Sequence, residues 1–349
     1  MNTRIVMINN DVASIAPDRQ PFGHFRQDWA YRRFYALCHE MGLPIEYCSP
    51  YDFDLESGLL RGWWSLAGGV WRPVPVMFRP DCVFDKASGC DFYSNAVMHY
   101  CENAGMTIFG PRDLHRLTGD KWHIYQQFPQ FQPLSILLPR DRSELVDALY
   151  DFFRQMDETY AEHDNKAVAK PLYGFQARGI HVISRKPHGL EMHMLFGGQI
   201  HGLDIERNLD EMVRTPYLLQ AWVDTGAGLP EVGLPGERHD VRFVFRIKEP
   251  HIAKFEVLYI KTVHGMIYVP LEKFGPDPFE VVNPIAEWIA SHFDRGIFSV
   301  DVMRDASGAW FLTELNDQVG LTMEPSDPDD VAGVTHLMRV YIEEMLRAF

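Results

Sequence analysis

Two polar residues near the end of the chain have the types and spacing of metal ligands. Residues 311–320 read FLTELNDQVG, which has the character of a strand. Successive side chains of a strand point to opposite faces, so Glu314 and Asn316 share one face, while Phe311, Thr313 and Leu315 take the other. Taken alone, the pattern also fits a half-exposed strand with its polar face in water.

The preceding segment adds a second carboxylate to this face. Residues 297–303 (IFSVDVM) also predict a strand, and 305–308 have the Asp and Gly of a short hairpin loop. Counting back from that loop predicts Asp301 opposite Leu312, with Glu314 as its diagonal neighbour, about 7–8 Å away along the backbone. Two carboxylates and an amide oxygen suit a hard cation such as Mg²⁺ that also holds phosphate oxygens. The hypothesis therefore needs a phosphate-binding site elsewhere in the chain.

The overall composition indicates which classes of binding partner the protein can have. The chain has 349 residues, of which 46% are hydrophobic, enough for cores in two or three lobes. Lys and Arg total 33 against 48 Asp and Glu, and the net charge of −15 argues against nucleic acid while allowing a local basic pocket. No apolar run approaches the roughly 18–20 residues of a membrane span. Unpatterned cysteines and the lack of a signal-peptide core predict a cytoplasmic protein with reduced thiols.

The apolar pattern predicts an α/β region at the start of the chain. Residues 4–8 read as a strand, and Ala30, Phe34, Leu37 and Met41 fall at the spacing of an amphipathic helix over 26–41. Strands followed by helices indicate an α/β lobe of some 110 residues. Further strands are predicted at 45–50, 73–80 and 107–110, with a helix at about 91–104.

The remainder predicts further helices and strands. A short helix is expected at 118–128, the next is expected to be capped by Ser143, and Asp277 with Glu280 has the spacing of a capping box. Asp327, followed by proline, predicts the start of the terminal helix. Strands are predicted at 132–139, 166–170, 179–184, 217–223, 241–247, 252–260 and 297–315.

A candidate phosphate-binding loop lies within residues 167–184 (AVAKPLYGFQARGIHVIS). Gly174 and Gly179 allow backbone N–H groups to approach phosphate oxygens, and Lys170 adds positive charge at the root of the loop. The loop is not a P-loop, because Ile-His follows where Lys and Ser or Thr are required. An ordinary glycine hairpin has the same composition, so both interpretations stay open.

Taken together, these motifs resemble the ATP-grasp superfamily: a strand ending in Lys170-Pro171, a glycine-containing loop and, later, Asp301 with the E-x-N triplet at 314–316. More narrowly, residues 118–320 are similar to glutathione synthetase/RimK-type ligases and to YheC/YheD-type proteins. The resemblance implies an α/β ATP-grasp fold with an N-terminal pre-ATP-grasp domain. It divides the chain into that domain (1–112), a central lobe with the phosphate loop (113–220) and a C-terminal lobe with the metal site (221–349).

The resemblance also implies roles for individual residues. Asp301, Glu314 and Asn316 match magnesium ligands, and Arg242 and Lys261 match cations at the γ-phosphate, with Arg242 also at the substrate carboxylate. ATP contacts are implied for Lys121, Lys170, Gly174, Arg178 and Gly179, and for Gln220, Ala221, Trp222, Val223 and Asp224 at the adenine and ribose. From the residues alone, Lys121 also fits a solvated helix start, and Arg242 fits a surface ion pair.

The function implied is ATP-dependent joining of a carboxylate to an amine through an acyl phosphate, with release of ADP and phosphate. The expected cofactors are ATP and Mg²⁺, and the expected substrates are small molecules or peptides, without nucleic acid or membrane. A small-molecule kinase and a non-catalytic structural protein are the alternatives. The association state is open, a homo-oligomer included.

The sequence departs from the family pattern directly after E-x-N. Relatives have small residues there, often proline before glycine, whereas this chain has Asp317, Gln318 and Val319. That stretch lies near the acceptor site, so the acid and the amine stay unidentified. Residues 22–29 (FGHFRQDW) fit either an acceptor contact through His24 or Arg26, or simply the entry to a helix.

Overall fold

The computed structural model describes residues 5–348, except 88, 90, 162, 174–178, 197–198, 203–204, 237, 263–264 and 322–323. Within these ranges the chain forms three large sheets, and each gathers its strands from a separate stretch of sequence. Among the helices so described, none combines the length and the hydropathy that a bilayer span requires.

The first sheet has a parallel centre and an antiparallel edge. Its strand order is β6-β5-β2-β1-β7-β8, in which β2, β1, β7 and β8 run parallel. The elements of this region are β1 (Ile5–Asn9), α1 (Phe25–Glu40), β2 (Ile45–Cys48), β3 (Phe53–Asp54), β4 (Leu59–Leu60), β5 (Trp63–Ala67), β6 (Val70–Val74), β7 (Cys82–Lys86), α2 (Phe92–Asn103) and β8 (Thr107–Phe109).

Helices cover both faces of this sheet. Helix α1 buries Ala30, Phe34 and Leu37 against one face, as their spacing predicts, and α2 packs Val97 and Met98 against the other. Four free cysteines lie buried in this region, and burial raises the pKa of each thiol: Cys38, Cys48, Cys82 and Cys101. Cys90 lies outside the described residues.

Two details of this region differ from the sequence predictions. Residues 73–80 do not form a strand of their own: β6 ends at Val74, and beyond it Phe78 makes only an isolated bridge. Strand β7 was not predicted, because Asp85 and Lys86 interrupt its apolar run. Both side chains are nevertheless buried, at 7% and 9% exposure, beside the central strand β1.

The second sheet is antiparallel, in the order β13-β12-β11-β10-β14-β9. Its core packs against α5 and α6 through Leu145, Leu149, Phe152, Phe153 and Met212. The elements are α3 (Arg112–Gly119), α4 (Lys121–Gln127), β9 (Ser135–Leu137), α5 (Arg142–Thr159), β10 (Lys166–Pro171), β11 (His181–Lys186), β12 (Gly189–Phe196), β13 (Gln199–Gly202), α6 (Ile205–Arg214) and β14 (Tyr217–Ala221).

Helix boundaries in this region correct two predictions. The helix expected at 118–128 is two helices, because Asp120 ends α3 and caps α4 by accepting a hydrogen bond from His123 N at 3.0 Å. Asp141, not Ser143, caps α5, accepting from the backbone of Ser143 at 2.9 Å and of Glu144 at 3.3 Å. In both places the earlier acid satisfies free N–H groups of a first turn.

The third sheet is antiparallel, in the order β19-β18-β17-β20-β21. Helix α7 begins at Asp277 without a side-chain cap, so the predicted capping box does not form, whereas Asp327 caps α8 as predicted. The elements are β15 (Gly228–Leu229), β16 (Leu234–Pro235), β17 (Asp240–Glu249), β18 (Ile252–Thr262), β19 (Gly265–Tyr268), α7 (Asp277–His292), β20 (Gly296–Arg304), β21 (Trp310–Asn316) and α8 (Pro328–Arg347).

The sheets are connected by helices α3 and α4 and by helix α8. Leu114 of α3 and Ile124 of α4 belong to the core between α7 and the third sheet, although these helices precede the second sheet in sequence. Tyr341 of α8 packs against Phe84 and Phe109 of the first sheet. The second sheet also contacts the third, since Lys170 near the end of β10 donates to the Thr313 carbonyl of β21 at 3.5 Å.

Candidate functional site

The hairpin of β20 and β21 contains a bulge that arranges its polar residues. Asp301 lies directly opposite Glu314, whereas Val302 lies opposite Leu312, so Thr313 is an extra residue in β21. The Thr313 hydroxyl donates to the Asp301 carbonyl at 3.1 Å. The predicted register, with Asp301 opposite Leu312, is therefore wrong: the bulge turns Leu312 into the apolar core and brings Glu314 directly across from Asp301.

Asn316 links the two carboxylates of this polar face. Its Nδ2 lies 3.3 Å from Asp301 Oδ2 and 3.3 Å from Glu314 Oε2. Within the described ranges no three His, Cys, Asp or Glu side chains form a metal-holding group, so the predicted set depends on two carboxylates and one amide. These are donors that a hard cation accepts, and turning the amide over would present its oxygen in place of Nδ2. The residues therefore fit Mg²⁺ in donor type and in proximity.

Asp301 is fully buried and paired with two cations. Arg242 holds it with two parallel hydrogen bonds of 2.6 and 2.5 Å, from Nε and Nη2. Lys261 Nζ lies 2.6 Å from Asp301 Oδ2 and also 2.6 Å from Asp240 Oδ2. Arg242 further donates to the Tyr259 hydroxyl at 3.1 Å. Strand β17, which carries Asp240 and Arg242, is thus joined to β20 by a largely buried ionic network.

The pKa values in this network follow from burial and charge. Burial opposes ionisation of Asp301, but Arg242 and Lys261 outweigh it and lower the pKa of Asp301 to about 2. Burial raises the pKa of Asp240, and Lys261 only partly offsets that effect. For Arg242 and Lys261, burial favours the neutral form, yet their acidic partners raise both pKa values above the ordinary range. Both cations therefore stay charged at neutral pH.

Two lysines reach strand β21 from neighbouring elements. Lys121, at the start of α4, has its Nζ 3.8 Å from Glu314 Oε1. Lys170, near the end of β10, donates to Gln220 Oε1 at 2.8 Å and to the Thr313 carbonyl at 3.5 Å. Burial lowers the pKa of both ammonium groups, and Glu314 partly offsets this. Two cations from the second-sheet region therefore meet the polar face of the third sheet.

A cleft opens beside Lys121. Its lining includes Thr118, Lys121, Gln132, Leu218 and Glu314. Gln132 was not singled out in the sequence. Its Nε2 is buried and, among the described residues, has no hydrogen-bond partner, so it is an unsatisfied donor at the edge of the cleft. A single glutamine before a strand carries no sequence signal of such a role.

The predicted adenine and ribose contacts lie at and just beyond the end of β14. The side chain of Gln220 bridges Lys170 and Ser135, so it braces the cleft from within the sheet. The amides of Ala221 and Trp222 donate to backbone carbonyls of Leu134 and Lys166. No described residue accepts a hydrogen bond from the Val223 amide. Asp224 accepts from the Gly226 amide at 2.9 Å.

The predicted phosphate loop is described only at its ends. Gly174 and Arg178 lie outside the described residues. Gly179 has a φ of +70°, and a β-carbon there would come 3.1 Å from Pro171 and 3.2 Å from the Tyr217 hydroxyl. The second glycine is therefore required by its backbone conformation and by close packing.

The residues after E-x-N are tied to α3 and to the first sheet. Asp317 accepts hydrogen bonds from His115 Nδ1 at 3.0 Å and from Thr118 Oγ1 at 3.0 Å, and raises the pKa of His115 against the effect of burial. Lys86 Nζ donates to the Val319 carbonyl at 2.9 Å and to the Tyr341 hydroxyl at 3.1 Å. Burial lowers the pKa of Lys86 to about 7.

The segment at 22–29 begins a helix. His24 caps α1, its Nδ1 accepting from Arg26 N at 3.3 Å. Arg26 forms an ion pair of 2.6 Å with Glu324, beyond the E-x-N strand. The capping geometry of His24 therefore supports the second interpretation of this segment, the entry to a helix.

Comparison with known proteins places this geometry in a known fold. No protein-family model matches the sequence, and no curated protein matches it. Solved structures match nearly the whole chain. D-cycloserine synthetase DcsG superposes with a TM-score of 0.55 at 15% identity, covering 97% of this chain and 99% of its own. D-alanyl-alanine synthetase A from Vibrio cholerae gives 0.57 at 9% identity, covering 99% and 100%.

A RimK domain ATP-grasp protein from Sphaerobacter thermophilus superposes with a TM-score of 0.52 at 12% identity, covering 98% of this chain and 100% of its own. The chain has the ATP-grasp fold. The α/β architecture and the resemblance to the ATP-grasp fold are thereby confirmed. At identities of 9–15%, the chemistry of this ATP-grasp chain has to be argued from its own residues.

Proposed function

We propose that this ATP-grasp chain is an ATP-dependent carboxylate–amine ligase that releases ADP and phosphate. The observation that carries the proposal is that Lys121 pairs with Glu314, which is itself opposite Asp301, while Lys170 contacts the neighbouring Thr313 carbonyl. Cations and metal-type donors around one cleft suit a polyphosphate, whose charge needs both. Neighbours named as synthetases for D-cycloserine and D-alanyl-alanine support substrates of amino-acid size.

Asp301, Glu314 and Asn316 would hold Mg²⁺, which neutralises charge on the β- and γ-phosphates when bound. Arg242 and Lys261 would stabilise the transferring phosphoryl group. A substrate carboxylate oxygen forms a bond to the γ-phosphorus as the bond to ADP breaks. The amine nitrogen then bonds to the acyl carbon, phosphate leaves with the oxygen, and the nitrogen loses a proton. No protein nucleophile is needed.

The remaining ATP contacts complete the proposal. Gly174, Arg178 and Gly179 would cover the phosphates, and Gln220 to Asp224 would contact adenine and ribose. Because the amides of Ala221 and Trp222 are used within the protein, we assign the main backbone donor to Val223. The three-way division at 112/113 and 220/221 and a cytoplasmic location are further parts of this proposal.

The ranking of the two lysines tests the nucleotide site. Lys170→Ala should weaken a non-hydrolysable ATP analogue far more than Lys121→Ala, because Lys170 is fixed by β10 and Gln220 beside the loop. Calorimetric titration with and without Mg²⁺ measures both affinities. Lys186→Ala, at the exposed end of β11, is the matched control and should bind like wild type. Unaltered binding by Lys170→Ala, or no Mg²⁺-dependent binding by wild type, would overturn the assignment.

A further inference from the structure

Lys261 is shared equally between two carboxylates on neighbouring strands. Its Nζ lies 2.6 Å from Asp301 Oδ2 on β20 and 2.6 Å from Asp240 Oδ2 on β17. Asp301 belongs to the proposed magnesium set, whereas the proposed function gives Asp240 no role. A charged side chain beside a metal ligand affects how strongly that ligand binds a metal, so Asp240 should influence metal binding by Asp301.

The hydrogen bonds of Asp301 show why a shared lysine matters. Oδ2 accepts from Arg242, Lys261 and Asn316, and Oδ1 accepts from Arg242 and from Ser299. A carboxylate offers about four lone-pair positions, so these donors already saturate it. Turning the Asn316 amide removes one of these five donors, but the other four still fill the carboxylate, so a divalent cation binding Asp301 must displace a further donor. Lys261 is the donor with another carboxylate at the same distance, whereas Arg242 is held by two parallel bonds.

Asp240 is placed to receive the displaced lysine. Its Oδ2 already contacts Lys261, while its Oδ1 is buried and, within the described ranges, has no hydrogen-bond partner. A lysine that moves off Asp301 can therefore gain a second contact on Asp240. Without Asp240 the same lysine would pair with Asp301 alone and would compete fully with the metal.

We propose that Asp240 is a positioning residue that retains Lys261 when Asp301 takes up a divalent cation. The inference rests on the proposed function, because it takes Asp301 as a metal ligand. It also keeps Lys261 near the γ-phosphate rather than letting it swing into solvent. Asp240 thereby makes Asp301 available to the metal without contacting the metal itself.

The competing explanation is that Asp240 acts through its charge alone. Removing any negative charge near a cation weakens that cation's binding, with or without a lysine between them. The two explanations differ in their dependence on Lys261. Retention of the lysine requires Lys261, so the effect of Asp240→Asn should vanish when Lys261 is replaced by methionine, whereas the effect of charge alone should persist.

The experiment is a double-mutant cycle on Mn²⁺ affinity. Mn²⁺ is titrated by electron paramagnetic resonance at a saturating, fixed concentration of ADP, with a protein-free titration subtracted. We expect Asp240→Asn to weaken Mn²⁺ about fivefold or more in the wild-type background and less than about twofold in Lys261→Met. Asp240→Glu, which keeps the carboxylate, should stay within about twofold of wild type. Asp164→Asn, in the surface pair with Lys166, is the matched control and should change nothing.

The outcomes separate the inference from the proposed function. Equal losses on Asp240→Asn in both backgrounds would overturn the retention role and leave the metal site in place. Absence of Mn²⁺ binding by the wild-type protein would overturn the metal site itself, and the inference with it. Lys261→Met alone gives an independent test if Asp240→Asn does not fold. It should tighten Mn²⁺, and unchanged or weaker binding would show that the lysine does not compete.

Discussion

Replacing Asp301 by asparagine should destabilise the protein, whereas replacing Glu314 by glutamine should not. Both changes neutralise a carboxylate of the proposed metal set, so both should abolish Mg²⁺-dependent ADP formation. Their surroundings differ. Asp301 is fully buried between Arg242 and Lys261, while the Glu314 side chain is 31% exposed and its nearest cation, Lys121, is 3.8 Å away.

The expected magnitudes follow from these contacts. Removing one partner of a buried ion pair costs about 3–5 kcal/mol. We take about 3 kcal/mol for Asp301→Asn, because the amide oxygen still accepts one bond and Asp240 still holds Lys261. An unfolding entropy of about 2.1 cal/mol/K per residue gives roughly 0.7 kcal/mol per degree for 349 residues. Asp301→Asn should therefore lower Tm by about 4 °C. Glu314→Gln loses a partly solvated pair of about 0–1 kcal/mol, which is about 1 °C at most.

The assay is differential scanning calorimetry without metal or nucleotide, followed by ADP release on the same preparations. Metal and nucleotide are left out because a ligand that binds the folded state would shift Tm by itself. A Tm for Asp301→Asn within about 1 °C of wild type would refute the buried, charged pairing of Arg242 with Asp301. An equal loss of Tm in both variants would refute the distinction drawn between the two carboxylates.

Two further predictions concern stability. Burial lowers the pKa of Lys86 to about 7 from 10.5, so between these values the unfolded chain binds more protons and stability should rise with pH. Lys86→Met should reduce this pH dependence of the free energy of unfolding by up to about 1 kcal/mol per pH unit. Urea denaturation at pH 7 and 9 measures the difference, and an unchanged pH dependence would contradict the prediction. A β-carbon on Gly333 would lie 2.0 Å from the Tyr268 ring, so Gly333→Ala should cost about 2 kcal/mol, against about 1 kcal/mol for the exposed control Ala332→Gly. A Gly333→Ala variant as stable as wild type would show that α8 does not pack on Tyr268.

The sequence predicted which side chains share the polar face of β21 but not the register of that strand. Alternation along β21 predicted a common face for Glu314 and Asn316; in the structure Asn316 contacts both Asp301 and Glu314, and Glu314 lies opposite Asp301. The bulge at Thr313 was missed because its cause, a hydroxyl bonded to the Asp301 carbonyl, is a contact between strands. One signal was present: Leu312 and Leu315 are both core residues at an odd spacing, which a regular strand cannot bury on one face.

Contacts between distant segments explain the other omissions. Asp240 precedes the recognised Arg242 by two residues, but its role depends on Lys261 across the strand pair. His115 and Asp317 are 202 residues apart, and only the folded chain brings them to 3.0 Å. Strand β7 was hidden because buried Asp85 and Lys86 resemble a loop in sequence, and their burial depends on partners such as Arg112 and Tyr341. Local patterns carry none of this information.

Trapping of an acyl phosphate by hydroxylamine tests the proposed ligase reaction most directly. The protein, ATP and Mg²⁺ would be incubated with hydroxylamine and each member of a panel of amino acids and short peptides, and hydroxamate and nucleotide products would be quantified. We expect one class of carboxylate to give hydroxamate together with an equal amount of ADP, and Glu314→Gln to give neither. AMP with pyrophosphate, or ADP with a stable phosphate ester and no hydroxamate, would contradict it.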